Sequence, residues 1–424
     1  MITQYKSHEL GYKLWIIMFA SSIMSGIYLY RDTITIRPEN IMLLIFLGSV
    51  ISLILILNLK IKMHYYFYFV TLFLCQNWLV STYRSEVISD SLKGLITLSS
   101  NLLVFLLIIC VFNFSKETLF RITFIAFGLF GFMEAAYGII AYLTYLNLNI
   151  DIGGLMHGQQ GFSVSVKGTF DEANIYATYI SIALLIVIAN FLSGMYKRYN
   201  VVLLISILVL LGALILSWTR SAWIGTFIGS VFIAWTYRKR LFNLKTFLIL
   251  ILILIILYSG VGAISKSFDS LSGSEGLFLT KITDLFNPKS ATAVSRINEY
   301  SFALEQWSHN PFLGNGYFSF KEFGERVWIS NIIIIILNDS GLIGALLFFI
   351  PIIMTFLECI KIYAFSRKNK DEKFHNYITG IIAGFISLIF ICNFTPIHTL
   401  LFFWMYLSLM ILYVKYYKKK IKKS

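Results

Sequence analysis

Residues 295–344, SRINEYSFALEQWSHNPFLGNGYFSFKEFGERVWISNIIIIILNDSGLIG, break a chain of apolar runs with a long polar segment and then return to an apolar one. After Arg296 the spacing of Ile297, Tyr300, Leu304 and Trp307 predicts one face of an amphipathic helix, which Asn310-Pro311 should stop ahead of Gly314 and Gly316. A new apolar helix follows, with Asn331, Asn338 and Asp339 in its outer half. One reading is a lid that merely joins two spans. Against it stand the length of the connection and its arginine, which in so apolar a protein calls for an anionic partner.

Working outward, the composition fixes the class. A chain of 424 residues that is 58% hydrophobic, 13% charged and contains five prolines, with mean hydropathy +0.77, has too much apolar surface for a water-soluble core. Runs of roughly 20 apolar residues indicate helical spans rather than a barrel, so an all-α integral membrane protein is expected. About twelve spans are expected, near 12–30, 41–59, 64–82, 94–113, 119–146, 174–193, 200–217, 221–237, 244–263, 331–359, 377–393 and 397–414. None resembles a cleaved signal peptide. The chain is thus expected to be a single polytopic domain over 1–424, with a large extracytoplasmic helical loop, 264–330, between spans nine and ten.

Lysine and arginine collect in alternate connections: Lys60 and Lys62, Lys116 and Arg121, Lys197 and Arg198, Arg238 to Arg240, Arg367 to Lys373, and the tail from Lys415 to Lys423. These should face the cytoplasm, with both termini inside. Most acids fall in the complementary loops: Asp32, Glu39, Glu86, Asp90, Asp151, Asp171, Glu172 and a group between Asp269 and Glu325. The net charge of +14 then serves orientation and contact with anionic membrane lipids, and no nucleic-acid partner is expected. A twelve-span secondary transporter is the competing class. It usually joins two similar six-helix halves by a long cytoplasmic connection, whereas here the connection after span six is short and no internal repeat is visible.

Several polar residues sit where hydropathy would not put them. Arg220, in SWTRSAWIG at the junction of spans seven and eight, is either a snorkelling arginine beside Trp218 and Trp223 or, with Ser217, Thr219 and Ser221 crowded around it, a fork of donors for a phosphate. Glu134, deep in span five, is either a site residue or a hydrogen-bonded tie between helices. Asp171 and Glu172, at the start of span six, suit helix capping, with sugar positioning or base chemistry as the alternative. His157, His309 and His398 lie on the outer side and His8, His64 and His375 on the inner. None has metal-ligand spacing, so neither a metal nor a cofactor is expected. The four cysteines are read as small apolar residues.

Taken in order, these elements resemble the superfamily of O-antigen ligases and Wzy-type O-antigen polymerases. A GTF-x-x-x-N element is present as Gly168, Thr169, Phe170 and Asn174, and a Thr-Arg-Ser element at a span junction as Thr219, Arg220 and Ser221 with Gly225. Arg296, Trp307 and the turn Asn310 to Gly316 form the large-loop element, and Asn331 with Gly341 and Gly344 the closing one. The resemblance implies a GT-C-like, metal-independent glycosyltransferase of the bacterial inner membrane with its active site on the periplasmic side. Its donor would be an undecaprenyl-pyrophosphate-linked oligosaccharide, and a chain-length regulator protein is a candidate partner. Arg220 and Arg296 would hold the departing pyrophosphate, and fixed cations there favour the transition state over the ground state. Asn174, Asn331, Trp307 and Tyr317 are expected to bind substrate, with Tyr300 and Trp328 as further stacking surfaces. Glu299, Asp171, Glu172 and His309 are the candidate bases, and Glu299 is assigned to catalysis. Ligases carry a histidine just before that asparagine. Here the position is Ser330, which cannot accept a proton near neutral pH as imidazole does. The polymerase branch, which joins repeat units to one another, is therefore favoured over transfer to lipid A-core.

Overall fold

The structure is a computed structural model that describes residues 2–31, 35–57, 61–85, 88–157, 164–241, 291–319 and 329–422. The chain is an all-α membrane protein. Its helices are α1 Ile2–Ile23, α2 Pro38–Leu57, α3 Tyr65–Arg84, α4 Ile88–Val111, α5 Lys116–Leu148, α6 Ala173–Ser193, α7 Asn200–Leu216, α8 Arg220–Thr236, α9 Ala291–His309, α10 Ile332–Lys368, α11 Glu372–Cys392 and α12 Leu401–Ile421. Among the described residues, α2, α4, α5, α6, α7, α10 and α11 are long and apolar enough to cross a bilayer. Two short antiparallel ribbons, Tyr30–Arg31 with Thr35–Ile36 and Leu155–His157 with Val164–Val166, close connections between helices.

Every expected span has its helix except the ninth, 244–263, which lies outside the described residues, as does most of the 264–330 loop. The first is displaced, because α1 ends at Ile23 and the chain turns through Ser25-Gly26, where the Ile27 amide bonds the Met24 carbonyl at 3.1 Å. Large apolar side chains face outward in rows: Leu44, Leu55 and Ile56 on α2, and Phe227, Val231 and Trp235 on α8. In lipid such rows face a solvent of their own kind.

Two compact units result. The first comprises Met1–Ile122, Val294–Phe365 and Cys392–Ser424, the second Thr123–Ala293 and Ser366–Ile391. In the first, Trp404 packs against Phe105 and Phe348 with ring centroids 5.3 and 5.8 Å away, and the Trp15 indole donates to Ser408 Oγ at 3.1 Å. The second is built around α6, whose core residues Leu185, Ala189 and Leu192 pack with Ile233 of α8 and Ala383 of α11. Hydroxyls replace apolar contacts where these helices meet: Thr226 donates to Ser181, which bonds Ser387, each at 2.7 Å. A π-turn at Phe124–Leu129 interrupts α5, and there the Ala126 carbonyl accepts from the Tyr179 hydroxyl.

Candidate functional site

In the second unit, two of the sequence elements quoted above converge. The chain reverses at Gly168 (φ +56°), and a Cβ there would lie 2.6 Å from Glu134 Oε2. That close approach lets the Thr169 hydroxyl and amide donate to the two Glu134 oxygens at 2.7 and 3.1 Å. Glu134 therefore ties α5 to the turn that starts α6, the second of its two expected roles. Glu172 occupies the N-cap position of α6, yet its side chain makes no capping hydrogen bond. Burial, and then the neighbouring Asp171 charge, push its carboxyl above the ordinary value. Asn174, one residue into α6, accepts from the Thr219 hydroxyl at 3.2 Å.

Arg220 opens α8. The hydroxyls expected to crowd it are partly committed elsewhere, Ser217 to the Leu214 carbonyl at 2.6 Å and Thr219 to Asn174. Trp218 is buried, at φ +55°, so it is not an interfacial tryptophan beside a snorkelling arginine. Arg220 itself is half-buried and, among the described residues, makes no hydrogen bond or ion pair. A guanidinium at the positive end of a helix, with its donors uncommitted, is suited by charge and geometry to an anion.

In the first unit the organising feature is a break in α10. Gly341 has φ +62° and ψ −169°, and the freed backbone pairs with the turn that ends α9. Leu342 and Ile343 amides donate to the Pro311 and Phe312 carbonyls at 2.9 and 3.1 Å, and Asn315 and Gly316 amides to the Asn338 and Asp339 carbonyls at 2.9 and 3.0 Å. The Asn315 amide group bonds Asn310 at 2.8 Å and Asn338 at 3.1 Å, and Arg84 caps the Gly314 carbonyl at 2.9 Å. Broken helices survive at membrane depth only where other groups satisfy the freed backbone, and this turn supplies them.

That joint fixes α9, which ends at His309 as expected. The expected apolar face is wrong in part: Ile297 and Leu304 are exposed, while Glu299 and Ala303 are buried. The inward row is Arg296, Glu299, Ala303. The Glu299 carboxylate receives both the Ser330 amide and its hydroxyl, the latter at 3.2 Å. Burial raises the Glu299 pKa, and the Ser330 bonds and the Arg296 charge only partly offset this. Arg296 stacks on Phe394, 5.5 Å from the ring centroid, and makes no hydrogen bond or ion pair among the described residues. Tyr300 reaches the Asn393 carbonyl at 3.4 Å.

Of the expected substrate-binding residues, several have local structural work. Asn331 caps α10, its side-chain oxygen accepting from Ile333 and Ile334 amides at 2.9 and 3.2 Å. Trp307 closes the end of α9 by donating to the Pro311 carbonyl at 3.0 Å. Tyr317 is 1% exposed, packed edge-on to Phe318, so its ring offers no face to a sugar. Trp328 lies outside the described residues. Nothing in the sequence marks Phe394 or Asn393 as neighbours of this helix, and Ser330 stands out only as the place of an absent histidine.

Residues 204–349 match the O-antigen ligase family. The match takes in Arg220, α9, the joint and Asn331, about a third of the chain, and stops short of Gly168 to Asn174 on its N-terminal side. It supports membership of the superfamily of O-antigen ligases and polymerases, and with it a glycosyltransferase-type role in polysaccharide synthesis. No curated protein matches the chain. Within the matched residues, the glycines and the Asn-Pro turn build the joint of the first unit.

Proposed function

We propose that the chain joins surface-polysaccharide repeat units, transferring a glycan from polyprenyl diphosphate to a hydroxyl of another lipid-linked unit on the periplasmic face. The observation that carries this reading is the pair Arg220 and Arg296, each half-buried with its guanidinium donors uncommitted among the described residues. In the transfer, the acceptor hydroxyl gives its proton to the Glu299 carboxylate and its oxygen bonds the anomeric carbon. The bond from that carbon to the diphosphate breaks, and the lipid diphosphate departs with the electron pair and the added charge. Guanidinium forks stabilise that charge as it develops. Ser330 holds the carboxylate in one orientation, and burial keeps it a better base than an exposed glutamate.

The family description favours a second reading, ligation onto lipid A-core. Ser330 in the histidine position argues for the polymerase. Electrophoresis of the surface glycan from cells carrying Arg220→Ala or Arg296→Ala separates them. Loss of long chains with single repeat units still attached supports polymerisation. Accumulation of lipid-linked polymer with nothing transferred to core supports ligation. Normal chains in both variants would sink the proposal.

A further inference from the structure

A cavity of about 410 Å³ opens in the second unit, where the end of α6, the residues after α8 and the turn between α10 and α11 come together. Arg238, Lys239, Arg240, Arg367 and Lys370 line it, against one described carboxylate, Glu372. None of the five cations makes an ion pair among the described residues. Like charges gathered around one concavity repel one another, and an anion relieves that repulsion.

The cavity is also built to hold its shape. Arg240 donates to the Leu192 carbonyl at 3.2 Å, and Arg238 stacks on Trp235 with its guanidinium 4.7 Å from the ring centroid. Lys370 takes φ +53°, and the Asp371 amide reaches back to the Ser366 carbonyl at 3.1 Å, fixing the Arg367–Lys370 turn. Beneath, the Ser366 hydroxyl bonds His375 Nδ1 at 3.1 Å, and Tyr237 donates to Asn376, which donates to Asn190, at 2.9 and 2.8 Å. Hydrogen-bonded polar groups, Ser366, His375 and Tyr237, thus share the lining with the five cations.

One further observation selects the kind of anion. Trp235 is the last of the outward apolar row Phe227, Val231, Trp235 along α8, and Arg238 stacks on it, so the rim is continuous with a lipid-facing stripe. We propose that this cavity binds a phosphate ester, the head group of an anionic phospholipid whose acyl chains lie along that row. The lysine and arginine excess of these connections assigns the site to the inner leaflet. Arg220, Arg296 and Glu299 are not among the residues that line it.

The test uses the full chain in detergent micelles, followed by native mass spectrometry and thermal unfolding, with phosphatidylglycerol, phosphatidylethanolamine and glycerol 3-phosphate as probes. Phosphatidylglycerol should be retained at one molecule per chain, more tightly than the zwitterionic lipid. Arg238→Gln with Arg367→Gln should weaken it about tenfold. Lys197→Gln with Arg198→Gln, which removes equal charge outside the cavity, should not. Trp235→Ala should weaken the lipid but leave glycerol 3-phosphate unchanged. If glycerol 3-phosphate binds as tightly as the lipid and Trp235→Ala is silent, the anion site stands with a soluble phosphate ester as its ligand. Equal binding of both lipids, or equal loss in the two double variants, overturns the proposal.

Discussion

Glu299, the base in the proposed transfer, has a setting that its spacing alone could not assign. Two donors from Ser330 favour its ionised form, burial disfavours it, and burial prevails. Because transfer needs the carboxylate ionised, kcat/KM should fall on the acid side, with a midpoint above the ordinary glutamate value of about 4.3. Glu299→Gln should remove that limb and lower the rate by roughly 10²–10⁴. Ser330→Ala removes one bond to the ionised form, so the limb should move to higher pH. A residue serving only structure would leave the limb in place. The pH profile of polymerisation by purified protein decides between them. Arg296 stands out in the sequence as a cation in an apolar chain, and Glu299 only as one of four candidate bases, because the periodic face reads as Ile297, Tyr300, Leu304 and Trp307. Ser330 could not be paired with Glu299, since no periodicity links residues 31 apart across a separate segment.

At the scale of elements, hydropathy located the helices and missed the joint within one of them. Residues 331–359 read as one unbroken apolar run because averaging over a window is blind to a backbone angle. The G-x-x-G pattern was visible, but its reason lies in Gly341: a left-handed residue whose Cβ would collide with the Phe312 carbonyl oxygen. Gly341→Ala should therefore destabilise the protein by about 2 kcal/mol or more, through backbone strain and loss of the pairing with 311–316. Gly48, inside α2, would bring a Cβ to within 4 Å of nothing, so Gly48→Ala should be neutral or slightly stabilising. Thermal unfolding in micelles checks both, and equal effects would mean that the break in α10 is not needed. The same distinction explains the amphipathic face of α9. Periodicity found the helix, but the residues it buries were chosen by the joint and by Ser330, so Glu299 went inward and Ile297 outward.

For the whole molecule, the charge pattern and the two arginines make separate claims. The sidedness expected from lysine and arginine places residue 198 in the cytoplasm and residue 151 outside. Single cysteines there, with the four native cysteines removed, should react with an impermeant maleimide only from opposite sides of the membrane. Labelling of residue 198 from outside and of residue 151 from inside would reverse the assignment of the transfer site to the periplasm, and labelling of both from one side would break the alternation on which it rests. The arginines lie in different units, Arg220 in the second and Arg296 in the first. If both act on the same leaving diphosphate, their contributions are coupled, and coupled groups fail to add. Each single change to alanine should lower kcat by roughly 10²–10³, as does removal of one transition-state donor elsewhere. The double variant should then fall well short of the product of the two losses, because once one guanidinium is gone the other no longer completes the same charge clamp. Full additivity would assign them to independent tasks, one on the donor and one on the acceptor lipid, and the shared-diphosphate chemistry would have to be abandoned.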